Sequence, residues 1–88
     1  MNRTDVLTTA NDYITRDRAA THGSAEDSFS SIAELWSADL GIDLTALDVA
    51  RLMVLFKMAR AQTNPTHADN WIDAAGYAAL AAEIAGDA

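Results

Sequence analysis

The chain has 88 residues, half of them apolar, with 13 acidic against 6 basic side chains, a net charge of −7 and no cysteine. That length holds one small domain, residues 1–88, and no second core. The charge leaves no basic stripe to displace counterions from a nucleic-acid backbone, and the lack of cysteine excludes a disulfide framework, a zinc-thiolate site and a cysteine nucleophile.

The first helix is expected from about Thr4 to Ala20, with Val6, Ala10, Tyr13 and Ile14 on one face and Gly23 placed to stop it. Met1-Asn2-Arg3-Thr4-Asp5 has no long apolar run after a basic start, so no secretory signal is expected. A cytoplasmic protein fits these features. The second helix is expected from Ala25 to Leu40, with Phe29, Ile32, Ala33, Trp36 and Leu40 inward and Gly41 at its end. The third spans Ala46 to Gln62 and is apolar nearly all round, through Val49, Leu52, Met53, Val54, Leu55, Phe56, Met58 and Ala59. That pattern belongs to a central helix covered on several sides. Its longest apolar run, Leu52 to Phe56, is far too short to cross a bilayer. The fourth begins at Pro65 or His67 and runs to Ala85.

Three helix starts share one device. Ser24-x-x-Asp27, Thr45-x-x-Asp48 and Thr66-x-x-Asp69 each put a hydroxyl three residues before an acid. The hydroxyl can accept from a free amide while the acid complements the positive helix end. No segment alternates as a strand does. The expectation is an all-α four-helix bundle with short connections. Its core includes Phe29, Ile32, Trp36, Val49, Leu52, Met53, Phe56, Tyr77 and Leu80.

The fourth helix carries the chemistry. Asp73 shares its face with Tyr77, Leu80 and Ile84, so an acid sits in a face that should be buried. A buried carboxylate needs a cation, a hydrogen bond or a proton. Lys57 and Arg60 on the third helix border an apolar strip and are its natural partners if the two helices form an antiparallel hairpin. One reading is an ion pair that sets register. The other gives Lys57 and Arg60 to phosphate oxygens and the acids to a metal.

Asp48 and Asp69 are either helix caps or metal ligands, and Glu26, at the edge of the second helix's core face, is a further possible ligand. Asp27 and Glu34 should face water. Magnesium needs few direct carboxylates, so two or three of these acids suffice. His22, after Arg16-Asp17-Arg18, is a phosphate contact or a capping group. His67 is assigned no role. The second face of the fourth helix, Ala74, Ala78, Ala81, Ala82 and Ala85 with Trp71 at its head, allows close helix approach, as does Gly76. With both sides of this helix needing cover, self-association into a homodimer or larger oligomer is expected.

Several of these residues fall into a familiar order. Arg18-x-x-x-His22-Gly23, Ile32-Ala33-x-Leu35-Trp36 and Leu44-Thr45-x-x-Asp48-Val49-Ala50 resemble a small helical family of unknown function common in tailed phages and prophages. So do Lys57-x-Ala59-Arg60, Asn64-Pro65 and Asp69-Asn70-Trp71-Ile72-Asp73-x-Ala75-Gly76-Tyr77-Ala78. The resemblance runs from about Thr8 to Ile84. More remotely, the chain resembles the MazG-like all-α nucleoside triphosphate pyrophosphohydrolases, in which acids on neighbouring helices hold magnesium. The Glu-x-x-Asp pattern of those enzymes corresponds here to Asn70-x-x-Asp73, with Asp69 as a substitute. Their Glu-Glu-x-x-Glu pattern is absent, and Glu26-Asp27 stands nearest to it. The resemblance implies a domain that binds, and in the enzymes hydrolyses, a nucleotide through magnesium. In that reading Lys57, Arg60, Arg18 and His22 contact phosphate, and Asp73, Asp69, Asp48 and Glu26 contact the metal. The alternative is a non-catalytic interaction protein acting on a host or phage protein.

Overall fold

A computed structural model describes residues 1–17 and 25–86, with side-chain placement for all of these but 17, 25 and 26. Four α-helices make up the fold, α1 (Arg3–Asp12), α2 (Ala25–Leu40), α3 (Ala46–Thr63) and α4 (Ala68–Gly86), and no strand occurs among the described residues. The all-α expectation holds. No helix among the described residues is long and apolar enough to cross a membrane.

The helix ends follow from local chemistry. Asn2 caps α1: its side-chain oxygen accepts from the Asp5 amide at 2.8 Å, and the Asp5 carboxylate accepts from the Asn2 amide at 3.3 Å. Sequence reading placed this start near Thr4 and missed the box. The helix does not run on as a regular α-helix, because Tyr13–Asp17 form a π-helical turn. The rest of the expected first helix, the stop at Gly23 and the Ser24 cap lie outside the described residues. Gly41 ends α2 with φ +70°, its amide donating to the Ser37 carbonyl at 2.9 Å. The Thr45–Asp48 box forms as expected. The Asp48 amide donates to the Thr45 hydroxyl at 3.2 Å, and the Thr45 amide donates to the Asp48 carboxylate at 3.0 Å.

The expected Thr66 cap does not form, since α4 begins at Ala68. Thr66 is taken up by a turn in which the His67 amide donates to the Asn64 carbonyl at 3.2 Å. Trp71 fastens that turn, its indole N–H donating to the Pro65 carbonyl at 2.8 Å.

The α3–α4 hairpin is the spine, with α2 packed on α3 and α1 on α4. Phe29 and Ala33 from α2, Val49 and Ala50 from α3, and Leu80 from α4 close the core. Tyr77 adds its ring to Phe29, centroids 6.1 Å apart and tilted by 38°. Of the expected core, Phe29, Val49 and Leu80 are buried, and Ile32, Trp36, Leu52, Met53 and Tyr77 are half-buried. Leu40, expected inward on α2, is exposed past the end of the core.

Phe56 is a correction, because 46 % of it is exposed. Elsewhere around α3, Leu47 and Leu55 are exposed too. α3 is apolar on more sides than α2 and α4 can cover, so Phe56 on one side and Leu47 with Leu55 on another stay open.

Gly76 does serve close approach. A Cβ there would lie 3.0 Å from the Ile14 methyl Cγ2 and 4.0 Å from the Ala10 carbonyl oxygen. The face of α4 that includes Gly76 therefore seats α1 and the π-helical turn. The alanine face is only partly covered: Ala74 is buried and Ala81 half-buried, while Ala78, Ala82 and Ala85 face outward.

Candidate functional site

The last two turns of α3 and the first two of α4 meet at the tight connection 64–67. The Asn64 amide closes α3 on the Arg60 carbonyl at 3.1 Å, and the Asn70 amide donates to the His67 carbonyl at 3.1 Å. Helical spacing puts Lys57 and Arg60 on one side of α3, and Asp69 and Asp73 on one side of α4. The two sides border a polar cleft of about 430 Å³, completed by Thr63, Asn64, His67 and Asn70. Four residues singled out from the sequence, Lys57, Arg60, Asp69 and Asp73, are therefore brought together.

Asp73 has its cation. Lys57 Nζ lies 2.9 Å from Asp73 Oδ2, the two side chains being 18 % and 31 % exposed. Asp73 also borders a small cavity of about 80 Å³ beneath Ile14 and Tyr77. Arg60 does not share the acid. Its guanidinium lies over the Phe56 ring, 4.8 Å from the centroid, and the Lys57 ammonium is 5.7 Å from the same ring. Among the described residues Arg60 has no carboxylate partner. A cation held on an aromatic face and left unpaired in a cleft is available to an anion.

Asn70 was not assigned a site role from the sequence beyond its place in the Asn70-x-x-Asp73 pattern. It is 6 % exposed, the one buried polar residue of the described chain, and it lines the cleft. Its carboxamide makes no hydrogen bond among the described residues. Burying an amide without a partner costs about 1–3 kcal/mol, so this group is set up to receive one. The signal was present in the spacing, because Asn70, Ala74 and Tyr77 fall on one inward helix face. Asp69 is exposed and lies 3.9 Å from His67 Nε2, a contact that becomes an ion pair when the imidazole is protonated.

The remaining expected ligands are elsewhere. Asp48 stands at the opposite end of α3, where it caps the helix and lies 3.8 Å from Arg51. The Thr45 amide, then the Thr45 hydroxyl, then Arg51 hold its carboxyl below its ordinary value. It borders an apolar groove of about 370 Å³ with Leu47, Leu55, Ala78 and Ala81, and not the polar cleft. Arg18 and His22 lie outside the described residues, as does the side chain of Glu26. No group of three His, Cys, Asp or Glu side chains able to hold a metal occurs among the described residues.

Residues 5–85 match the family described as "Domain of unknown function (DUF6378)". The chain is similar to the Gene 55 protein of Mycobacterium phage L5, 42 % identical over 76 residues that make up 85 % of this chain and 49 % of that protein. It is similar also to the Gene 55 protein of Mycobacterium phage D29, 35 % identical over 79 residues, 90 % of this chain and 52 % of that protein. The chain thus spans about half the length of the curated relatives it matches. No solved structure matches.

Proposed function

Because the chain belongs to the DUF6378 family, whose description assigns no activity, we propose a function from the cleft: it binds a phosphate-bearing nucleotide together with magnesium. The observation that carries this reading is the buried carboxamide of Asn70, without a hydrogen-bond partner among the described residues and facing the same cleft as Arg60. Arg60 can meet two phosphate oxygens in a fork, and Asn70 can donate a further hydrogen bond. The first turn of α4 borders the cleft, so the positive end of that helix favours the same anion.

The carboxylates fit one kind of magnesium site. Asp69 and Asp73 are two ligand candidates, too few for a resident cage. They suit an ion that keeps several waters and arrives with phosphate oxygens. Bound that way, magnesium would neutralise phosphate charge and could orient a water toward phosphorus. Lys57 meanwhile holds Asp73 at the cleft wall. The MazG-like resemblance and hydrolysis belong to this reading, with no support from the matched relatives.

A second reading, a non-catalytic protein that acts on a host or phage partner, is favoured by the Lys57–Asp73 pair, which satisfies the acid without any metal. Calorimetric titration with nucleoside triphosphates separates the two. Binding that requires magnesium and is lost in Arg60→Gln is expected, with pyrophosphate release assayed in the same samples. Absence of binding at millimolar nucleotide and magnesium would overturn the proposal.

A further inference from the structure

One open groove of about 370 Å³ has walls of two kinds. Leu47, Val54 and Leu55 line it from α3, and Ala78 and Ala81 line it from α4. Leu55 is 53 % exposed and Leu47 38 %. The α3 wall thus stands proud with leucines, while the α4 wall is cut back to methyl groups. The small wall continues along α4. Trp71, Ala75, Ala78, Ala82 and Ala85 recur at alternating spacings of four and three, so they form one stripe with no charged residue on it. Ala78, Ala82 and Ala85 are exposed.

The hairpin fixes how the two walls line up. α3 and α4 run antiparallel, and the 2.9 Å contact between Lys57 and Asp73 sets their register. Away from that contact both helices rise equally per residue. Leu55 therefore stands level with the start of the Ala75–Ala78 stretch, and Leu47 with the Ala82–Ala85 stretch.

We infer that this face joins a second copy of the chain in a two-fold contact, with α3 of each copy lying along α4 of the other. A two-fold axis parallel to the helices keeps every residue at its own level. Leu55 of one copy then enters the notch between Ala75 and Ala78 of the other, and Leu47 the notch between Ala82 and Ala85. The other copy returns both contacts, as an isologous interface requires. Each α3 also runs antiparallel to the α4 that it meets, so the four helices pack as a bundle. Charge selects the same occupant. Asp48 and Arg51 are the charged residues on the groove among the described residues, and they lie 3.8 Å apart. The groove is therefore neutral in a chain of net charge −7. Two copies meet here without setting unpaired carboxylates against each other, whereas a basic segment or a nucleic-acid backbone finds no unpaired charge to hold. The polar cleft shares no residue with this groove, so the contact stands apart from nucleotide binding.

The test exchanges the large and small side chains. Sedimentation equilibrium at physiological salt gives the dimer dissociation constant of the parent and of three variants, all altered at exposed positions. Leu55→Ala removes the inserted side chain and should weaken the dimer at least tenfold. Ala78→Leu adds apolar surface but fills the notch, so it should weaken the dimer to a similar degree. The double variant Leu55→Ala with Ala78→Leu offers the new leucine the space that the old one left, and should recover most of the affinity. A parent that sediments as a single chain at high micromolar concentration would overturn the inference. So would unchanged or tighter association of Ala78→Leu, which would reduce the effect to general stickiness of an apolar surface. A double variant no tighter than its weaker single variant would overturn the pairing of α3 with α4, and the inference with it.

Discussion

Lys57 and Asp73 lie 2.9 Å apart across the α3–α4 hairpin, the lysine more deeply covered than the acid. The pair ties the fourth turn of α3 to the second turn of α4 and fixes one wall of the polar cleft. Removing the acid strands a mostly buried ammonium. The expected loss for Asp73→Ala is about 1–2 kcal/mol, between the roughly 0–1 of an exposed pair and the 3–5 of a fully buried one. A double-mutant cycle with Lys57→Ala in urea should return a coupling near 1 kcal/mol. If Asp73 instead acts only as a metal ligand, chelator-treated Asp73→Ala will be as stable as the parent, and the cycle will show no coupling.

Asn70 should separate stability from binding. Replacing the unpartnered carboxamide by leucine, which has the same branched shape and can extend its extra volume into the cleft, removes a desolvation cost, so Asn70→Leu is expected to stabilise the free protein by about 1 kcal/mol. The same substitution should abolish the magnesium-dependent nucleotide binding. Urea unfolding and calorimetry on one preparation check both halves. A destabilised variant would mean that Asn70 already has a structural partner.

Gly76→Ala tests the seat of α1. Alanine improves helix propensity by about 1 kcal/mol, but its methyl would stand 3.0 Å from Ile14 Cγ2. Ile14 is β-branched and stiff at χ1, and it packs against the core, so it has little room to yield. The expected net effect is a loss of stability in the parent chain and a gain in an Ile14→Ala background. A change of sign between backgrounds, read by thermal unfolding, identifies the contact as the cause. The same sign in both would show that the α1 seat adapts.

Asp48 predicts the shape of the acid limb. Its carboxyl is held low chiefly by the Thr45 amide, then by the Thr45 hydroxyl and Arg51. A depressed folded-state value means that the stability it lends is complete above the ordinary value of 3.8 and disappears as pH falls through the lower folded value. Melting temperatures measured from pH 5 to pH 2 should fall less steeply for Asp48→Asn than for the parent. Parallel curves would show that the capping box does not couple to protonation.

The open side of α3 predicts self-association. Leu47 and Leu55 border an apolar groove with Ala78 and Ala81, and two copies meeting there would cover what α2 and α4 leave bare. Light scattering is expected to give a multiple of the 9.4 kDa chain mass. Leu55→Asp should return it to that mass. A single-chain mass for the parent across a range of salt would leave the groove to another partner.

Much of this fold was legible in the residues because its determinants are local. Helix periodicity, the glycine after Leu40 and the Thr45–Asp48 spacing each act within a few residues, and each formed. Even the tie between α3 and α4 could be read, since an acid on an inward face requires a cation and Lys57 was one of two within reach. The Asn2 cap was equally local and was overlooked because the capping residue precedes the first periodic residue. What tertiary structure alone decided was which helix faces receive a neighbour. A helical wheel gives Phe56 and Phe29 equal claims on a core. Only the packing of α2 on α3 buries one, while the other is left under Arg60. The same holds for Gly76, whose need for close approach was visible but whose partner, Ile14 on a π-helical turn, was not. It holds for Asn70, whose inward position could be read from the spacing but whose burial at the cleft only the closed hairpin set. Burial depends on the number and placement of neighbouring elements, and in a chain this short there are too few helices to cover every apolar face that the sequence offers.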